Sequence, residues 1–407
     1  MGVLEVDTKK IFELANKQKE ELTALRQDFH ARPELSWQEV ETSKKIEKRL
    51  QDLGFENIRR GFKGTGSGVV ADITGGGPAG KEGPRCVALR ADIDALPIQE
   101  ENSLDYASKT EGVMHACGHD AHATILLGAA KILAEIKERF SGKVRLIFQP
   151  AEEAGNDSGA PAMIKEGALD GVDAIGGLHV WSQLPVGVFA TRSGPLMASA
   201  DIWEVILQGQ GGHGAMPHLA VDPTVAAGHL ITMLQTVVSR ETDPLESVVV
   251  SIGKIESGNA PNVIPDKATM RGNIRTTNRK TRSEMEGKVK RIVDGVAQAM
   301  RCSAKTIYTP IYPVTINDAE LTDLYRQTAV HLFGKDKVEE HPIIMGSEDF
   351  SYYGEKVPAT FAILGIGDEK AGTNRAHHSP HFNANDEALA GGAALLSSFA
   401  LNYLSKS

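Results

Sequence analysis

The sequence predicts an α/β fold: a catalytic-type domain with a largely parallel central sheet flanked by helices, interrupted by an inserted two-layer domain. Three observations carry that prediction. Apolar β-rich runs alternate with amphipathic helical runs through the first half of the chain, the alternation breaks between about residues 192 and 310, and it then resumes. At 407 residues the chain is also too long for one ordinary core.

Taken in order, the spacing predicts helices over Lys10–His30 and Glu39–Leu53, then strands at Gly68–Ile73 and Cys86–Ala91. Gly75-Gly76-Gly77-Pro78 between those strands reads as a hairpin loop. Ile125, Leu126, Ala129, Ile132, Leu133 and Ile136 recur at helical spacing within Ala123–Phe140, and strands follow at Val144–Phe148 and Ala174–Val180. The interrupting segment reads strand Trp203–Leu207, helix Pro223–Arg240, strands Ser247–Ile255 and Thr269–Arg275, helix Arg282–Met300 and strand Ala304–Tyr308. That order is a β-α-β-β-α-β, ferredoxin-like unit. Helix Leu321–Phe333, strand Thr360–Ile366 and helix Asp386–Leu404 complete the first domain. The expected division is 1–191 with 311–407 around an insert at 192–310.

Composition narrows the function classes. The chain carries 44 Lys+Arg against 53 Asp+Glu, a net charge of −9, so its average surface does not attract nucleic acid or an anionic membrane. No stretch reaches 18 uncharged apolar residues, and the N-terminus lacks a basic start followed by an apolar run. Met1-Gly2 is not a myristoylation start, because Val6 stands where Ser or Thr is needed. Cys86, Cys117 and Cys302 are too few and too scattered for a disulfide framework. A cytoplasmic protein with neither a nucleic-acid nor a membrane partner is expected.

Four clusters carry chemistry. His115-Ala-Cys117-Gly-His119-Asp120-Ala-His122 opens a helix with three imidazoles, a thiol and a carboxylate; this is a metal site or, alternatively, a satisfied polar helix cap. Glu152 and Glu153 follow a strand at the sheet edge where α/β proteins bind ligands, so one carboxylate can hold metal while the other serves as general base; a solvated loop is the bland alternative. His179 ends an apolar strand, as ligand or as hydrogen-bonded core residue, and His377-His378-Ser-Pro-His381 follows another. Together they suggest a two-metal hydrolytic centre. Asp92 or Asp94 can orient a ligating histidine. In the insert, His213 lies in a glycine-rich turn and suits an oxyanion donor or a plain flexible loop. Arg275 suits a substrate carboxylate or an exposed salt bridge. Gly64-Thr-Gly66-Ser-Gly68 leads into a strand without Lys-Ser/Thr and is a turn, and no Gly-x-Ser-x-Gly elbow precedes a helix.

The ordered motifs from Leu25-Arg-Gln-Asp-Phe-His30 through RADIDALP, ACGHDAHAT, FQPAEE, GLHVW, GGHGAMPH, NVIP and MGSEDFSYY to HHSPHF resemble a known family. It is the cocatalytic-metal aminoacylases and carboxypeptidases, in particular the branch of N-acyl-amino-acid amidohydrolases, hippurate hydrolases and plant auxin-conjugate hydrolases. The resemblance implies that Cys117, His119, Glu153, His179 and His378 hold two divalent metal ions, with the Cys117 thiolate joining the pair. His378 is favoured over His377 because it has the His-Ser-Pro-x-Phe spacing. Glu152 is then the general base and acid, Asp94 orients a metal ligand, His213 is a lid histidine, and Asn262 and Arg275 bind substrate. The wider family's His-x-Asp motif reads Asp92-Ile93-Asp94 here. Thiolate ligation favours Zn, with Mn, Co or Ni as alternatives. A homodimer through the insert is implied as well.

The activity so implied is hydrolysis of the amide of a small N-acyl amino acid. A metallo-dipeptidase or carboxypeptidase with the same centre is the alternative. A metal-dependent binding protein without turnover is a different class, and the second acid, Glu152 beside Glu153, argues against it.

Overall fold

The computed structural model describes residues 8–77 and 85–405. Two compact units divide the chain: Met1–Leu196, Ile316–Pro342 and Asp349–Ser407 form the first, and Met197–Thr315 with Ile343–Glu348 form the second. The Ile343–Glu348 segment thus leaves the stretch that the sequence places in the first domain.

An eight-stranded sheet organises the first unit. Its centre is four parallel strands, in the spatial order Lys143–Gln149, Cys86–Asp92, Ala174–Pro185 and Ala359–Gly367. Every residue of Cys86–Asp92 is buried, as a strand covered on both faces requires. Helices His119–Glu135 and Glu387–Ser405 pack against each other and supply much of that cover through Ile125, Leu126, Leu133, Leu395, Leu396 and Phe399. Glu387–Ser405 has the length and hydropathy of a membrane span, but 83% of its most apolar window is buried in this core.

Antiparallel strands extend the parallel centre. Val69–Thr74 pairs antiparallel with Lys143–Gln149, and Glu56–Arg60 pairs antiparallel with Val69–Thr74. On the other side Phe189–Thr191 runs antiparallel to Ala359–Gly367 and carries Val338–Glu340 as the last strand. Topology corrects the expected hairpin at Gly75–Pro78, of which Pro78 lies outside the described residues. Lys143–Gln149 sits between Val69–Thr74 and Cys86–Asp92, so those two are not neighbours. The N–H groups of Gly75, Gly76 and Gly77 instead bond the carbonyls of Gly142, Lys137 and Phe140. The helix expected over Lys10–His30 is two, Thr8–Lys17 and Lys19–His30, separated at Gln18.

Consequences for chemistry come from the ends of the parallel strands. Asp92 ends one of them with Asp94 just beyond, Glu152 and Glu153 follow a second, His179 lies in a third, and the His377-His378 loop follows the fourth. All four run in the same direction, so these residues gather at one sheet edge.

The second unit is a four-stranded antiparallel sheet in the order Val248–Ser257, Lys267–Thr276, Ala200–Gln208, Ser303–Tyr312. Helices Pro223–Leu234 and Arg279–Ala299 pack on it around Trp203, Leu230, Met270, Met285 and Val289. This is the expected β-α-β-β-α-β connectivity with ferredoxin-like strand order. The helix expected over Pro223–Arg240 is divided at Gln235 into Pro223–Leu234 and Thr236–Glu241.

One ion pair stitches the antiparallel side of the first sheet. Asp72 accepts from Arg145 Nε at 2.7 Å and Nη2 at 3.0 Å, and Lys143 Nζ stands 3.4 Å away. Burial alone would raise the Asp72 carboxyl, but the Arg145 bonds and charge outweigh it and hold the pKa below the ordinary value. A group so depressed stabilises the fold above its unfolded pKa of about 3.9 and loses that contribution as pH falls through the folded value. Asp72→Ala is expected to lower unfolding free energy at pH 7 by about 3 kcal/mol. Urea midpoints of the variant and the parent should therefore separate clearly at pH 7 and draw together as pH falls below about 4; a separation unchanged by acid would contradict the assignment.

Candidate metal centre

The cluster is built on a sharp turn into a helix. Gly118 has φ +90°, and a Cβ there would meet Val180 Cγ2 at 2.4 Å, so the position requires glycine. The turn starts helix His119–Glu135 directly after Cys117, which lets the thiol and the first helical imidazole face one point despite their spacing of two. Cys117 Sγ lies 3.4 Å from His179 Nε2. Cys117, His119 and His179 form one group whose ligand atoms all lie within 4.8 Å, and Cys117, Glu153 and His378 form another. All five residues that the family resemblance nominates as ligands are in these two groups, joined at the thiol. Glu152 lies with His119 and Glu153 in a third such group.

Each imidazole's free nitrogen is set by what its other nitrogen does. His119 Nδ1 bonds Asp94 Oδ1 at 3.1 Å, and its buried Nε2 has no hydrogen-bond partner among the described residues. His179 Nδ1 donates to the carbonyl of Val180 at 2.6 Å, leaving Nε2 toward Cys117. His377 Nε2 donates to the same carbonyl at 3.0 Å, whereas His378 Nε2 lies 3.2 Å from Glu153 Oε1. His378 is thus the member of the pair turned to the cluster. His115 is not brought in: it is buried, neither ring nitrogen is hydrogen-bonded among the described residues, and burial pushes it down to about 4.

Of Asp92 and Asp94, Asp94 is the acid that bonds His119 Nδ1. Its Oδ1 also accepts from Glu152 N–H at 3.1 Å, and its Oδ2 accepts from Glu153 N–H at 3.0 Å and the Ser36 hydroxyl at 2.7 Å. Burial would raise this carboxyl, and the His119 bond and charge with the other donors hold it low. Asp92 goes instead to Arg90 Nη1 at 2.7 Å and His122 Nδ1 at 2.5 Å.

Sequence reasoning missed Glu39. Buried in the fold, it accepts the Ala151 N–H at 2.8 Å, and burial followed by the Asp94 charge pushes it up to about 8. Ala151 has φ +55° and His378 has φ +64°, so two non-glycine residues in the left-handed region adjoin or belong to the cluster. Asp349, inside the MGSEDFSYY run, adjoins Glu152. Its N–H reaches Glu152 Oε1 at 3.4 Å, while its carboxylate takes Arg90 Nη2 at 2.7 Å and Gln149 Nε2 at 2.8 Å.

These residues fit a divalent cation. Burial first, then the Glu153 and Glu152 charges, hold the Cys117 thiol well above its ordinary pKa, and His119 offers an orphaned buried nitrogen. A cation relieves both, turning the thiol into a thiolate ligand and giving Nε2 a partner.

Three predicted residues belong to the second unit. Strands Gly212–His213 and Val263–Ile264 pair with Val263 opposite His213, and Gly214 N–H donates to Asn262 O at 2.8 Å. His213 and Asn262 are thus neighbours, and the His213 ring is exposed. Arg275, half-buried, donates to the Ser347 hydroxyl at 2.8 Å.

Comparison with known proteins identifies the family. Residues 88–402 match the model of peptidase family M20/M25/M40. An IAA-amino acid hydrolase ILR1-like 2 of Arabidopsis thaliana is 42% identical over 387 residues, covering 94% of this chain and 85% of that protein. An N-acetylcysteine deacetylase of Bacillus subtilis is 41% identical over 369 residues, 90% of this chain and 93% of the relative. The crystal structure of Bacillus subtilis YXEP, described as a dinuclear metal-binding peptidase of family M20, superposes with a TM-score of 0.82 at 35% identity, over 96% of this chain and 99% of that one. With a family match across more than half its length and relatives above 40% identity over nearly all of it, this chain belongs to peptidase family M20/M25/M40.

Proposed function

We propose that the protein is a metal-dependent amidohydrolase that cleaves the amide of a small N-acyl amino acid to a carboxylate and a free amino acid. The observation that carries this is the pair of ligand groups sharing Cys117, with the Glu152 carboxylate beside them. Relatives named for hydrolysis of IAA-amino acids and deacetylation of N-acetylcysteine support the substrate class.

In this reading Cys117, His119, Glu153, His179 and His378 hold two ions, with zinc first for a site containing a thiolate and manganese, cobalt or nickel as alternatives. Ions bound there supply Lewis acidity and a water of lowered pKa. Glu152 takes a proton from the attacking water and returns it to the departing amine, so one acid serves both halves of the reaction. The Asp349 N–H at Glu152 Oε1 and the Asp94 carboxylate on its backbone hold that acid in place. His213 steadies the oxyanion. Asn262 lines the substrate, and Arg275 pairs with its carboxylate.

The partner and compartment readings are coarser. Among the described residues all three cysteines are free thiols, which supports a reducing, cytoplasmic setting. Exposed Val225, Met233, Val249 and Ile255 on the second unit, with the unpaired edge of Val248–Ser257, support a homodimer formed there.

Amine release from N-acetyl and N-benzoyl amino acids and from dipeptides, with metal counted per chain and a chelator-treated control, tests the function. Chelator-sensitive release from the N-acyl amino acids is expected; release from dipeptides alone would move the assignment to a peptidase, and none despite full loading to a binding protein. Glu152→Gln should lower kcat by about 10²–10⁴-fold with both ions retained, and an active variant would refute the role of Glu152. Arg275→Met should raise KM about 10–100-fold for substrates with a free carboxylate, the loss of one charge-assisted bond, and leave their methyl esters unaffected.

A further inference from the structure

His122 is the third imidazole of the sequence cluster, and neither the ligand set nor the mechanism above uses it. It lies on the same helix as His119, three residues on, so both rings occupy one face and stack at 5.3 Å between centroids. Asp92, His119 and His122 also bring ligand atoms within 4.8 Å of one another, the geometry of a possible further ion site. Hydrogen bonding decides between that and another role. His122 Nε2 accepts the Val180 N–H at 2.8 Å. An accepting Nε2 carries no proton, so in the neutral ring the proton is on Nδ1, which donates to Asp92 Oδ1 at 2.5 Å. Both nitrogens are therefore committed.

The bond to Val180 has a structural reason. Strand Cys86–Asp92 pairs with Ala174–Pro185 only as far as Arg90 opposite Gly177. Beyond that point the ladder on this side ends, and the Val180 N–H is met by His122 Nε2 instead of by a strand carbonyl. The Val180 carbonyl in turn accepts from His179 Nδ1 at 2.6 Å and His377 Nε2 at 3.0 Å. One backbone residue thus sets two imidazoles through its carbonyl and is itself fixed through its N–H. Asp92 anchors the other end, being held by Arg90, which also holds Asp349 and Gln149.

We propose that His122 is a positioning residue and not a metal ligand: as the Nδ1–H tautomer bridging Asp92 and the Val180 N–H, it sets the direction in which His179 Nε2 is presented to the metal centre. The inference rests on the proposed centre for its consequence, and on hydrogen bonding alone for the tautomer.

Two substitutions separate the two ends of the bridge. His122→Asn keeps a donor near Nδ1 for Asp92 but is too short to reach Val180, whereas His122→Gln places an oxygen near the lost Nε2. Zinc stoichiometry and affinity of the full chain, by competition against a chromogenic chelator, are the readout. His122→Asn should still bind as many ions as the parent with affinity weakened about 10–100-fold, as for other groups that orient a ligand, and His122→Gln should recover most of it. Loss of a whole ion in either variant would make His122 a ligand, and parental affinity in His122→Asn would remove its role; both overturn the proposal. Nitrogen-15 spectra of histidine-labelled metal-free parent provide an independent test, with a neutral Nδ1–H ring expected and an Nε2–H ring overturning it. That measurement decides on His122 even where a variant fails to fold. If the parent binds no zinc at all, the proposed centre fails, while the spectra still report on the bridge.

Discussion

The buried Asp94 carboxylate is the constraint on which the rest of the centre depends. Four donors surround it: the His119 ring, the Ser36 hydroxyl and the N–H groups of Glu152 and Glu153. A carboxylate out of water is tolerable only when its lone pairs are met this completely. Meeting them ties the end of one central strand to the loop after its neighbour and to the first turn of the helix that covers both. The same four bonds therefore fix a candidate ligand and the candidate base relative to each other. Had Asp94 been a surface group, each of these elements would have been free to settle by its own packing.

Around that anchor the site concentrates charge of one sign. Asp92, Asp94, Glu152 and Asp349 are buried, with Glu153 adjoining, while Glu39, pushed up to about 8, and the Cys117 thiol, held well above its ordinary value, lie beside them without charge at neutral pH. Arg90 offsets two of the carboxylates by lying between Asp92 and Asp349, both at 2.7 Å. On the Cys117, Glu152 and Glu153 side the buried cation is the His119 imidazole: burial opposes its charge, but the Asp92 charge and the Asp94 bond and charge outweigh burial and push its pKa up to about 10. At this front a divalent cation would take the place of the His119 proton, since a ligating imidazole is neutral. A divalent cation is the species that such a front selects, and the held-up thiol and the orphaned His119 nitrogen mark where it would be felt.

Much of this was legible in the sequence, for a physical reason. Strands buried in the sheet carry apolar runs, Val87–Leu89 within Cys86–Asp92 and Leu146–Phe148 within Lys143–Gln149, so they stand out, and chemistry that ends such strands must share an edge. The ligand clusters were readable because His, Cys and Glu are rare in those surroundings, while the choice of five residues among them came from the family resemblance. What stayed hidden depends on pairings distant along the chain. Nothing near Glu39 announces that it will accept an N–H from Ala151, 112 residues away. The strand order that displaces the Gly75 hairpin is equally non-local, and Val338–Glu340 is three residues long, below the length at which periodicity speaks. The helix break at Gln18 escaped because the apolar spacing continues through it.

The two strained non-glycine positions explain why so many buried contacts are needed. Ala151 precedes the candidate base and His378 is a candidate ligand, and each is held at positive φ, a conformation that costs about 1–3 kcal/mol at such residues. Left to themselves both would relax, and Glu152 and His378 would swing away. Glu39 and Asp94 take the three consecutive N–H groups from Ala151 to Glu153, and the Ala116 carbonyl takes the His378 N–H at 2.8 Å. These bonds are made only in the strained arrangement, so the strain and the buried carboxylates stabilise each other's presence. A centre assembled this way is preorganised by the protein before any ion arrives. Its geometry follows from hydrogen bonds that the chain makes with itself, and the ion has only to occupy a place where charge and lone pairs already converge.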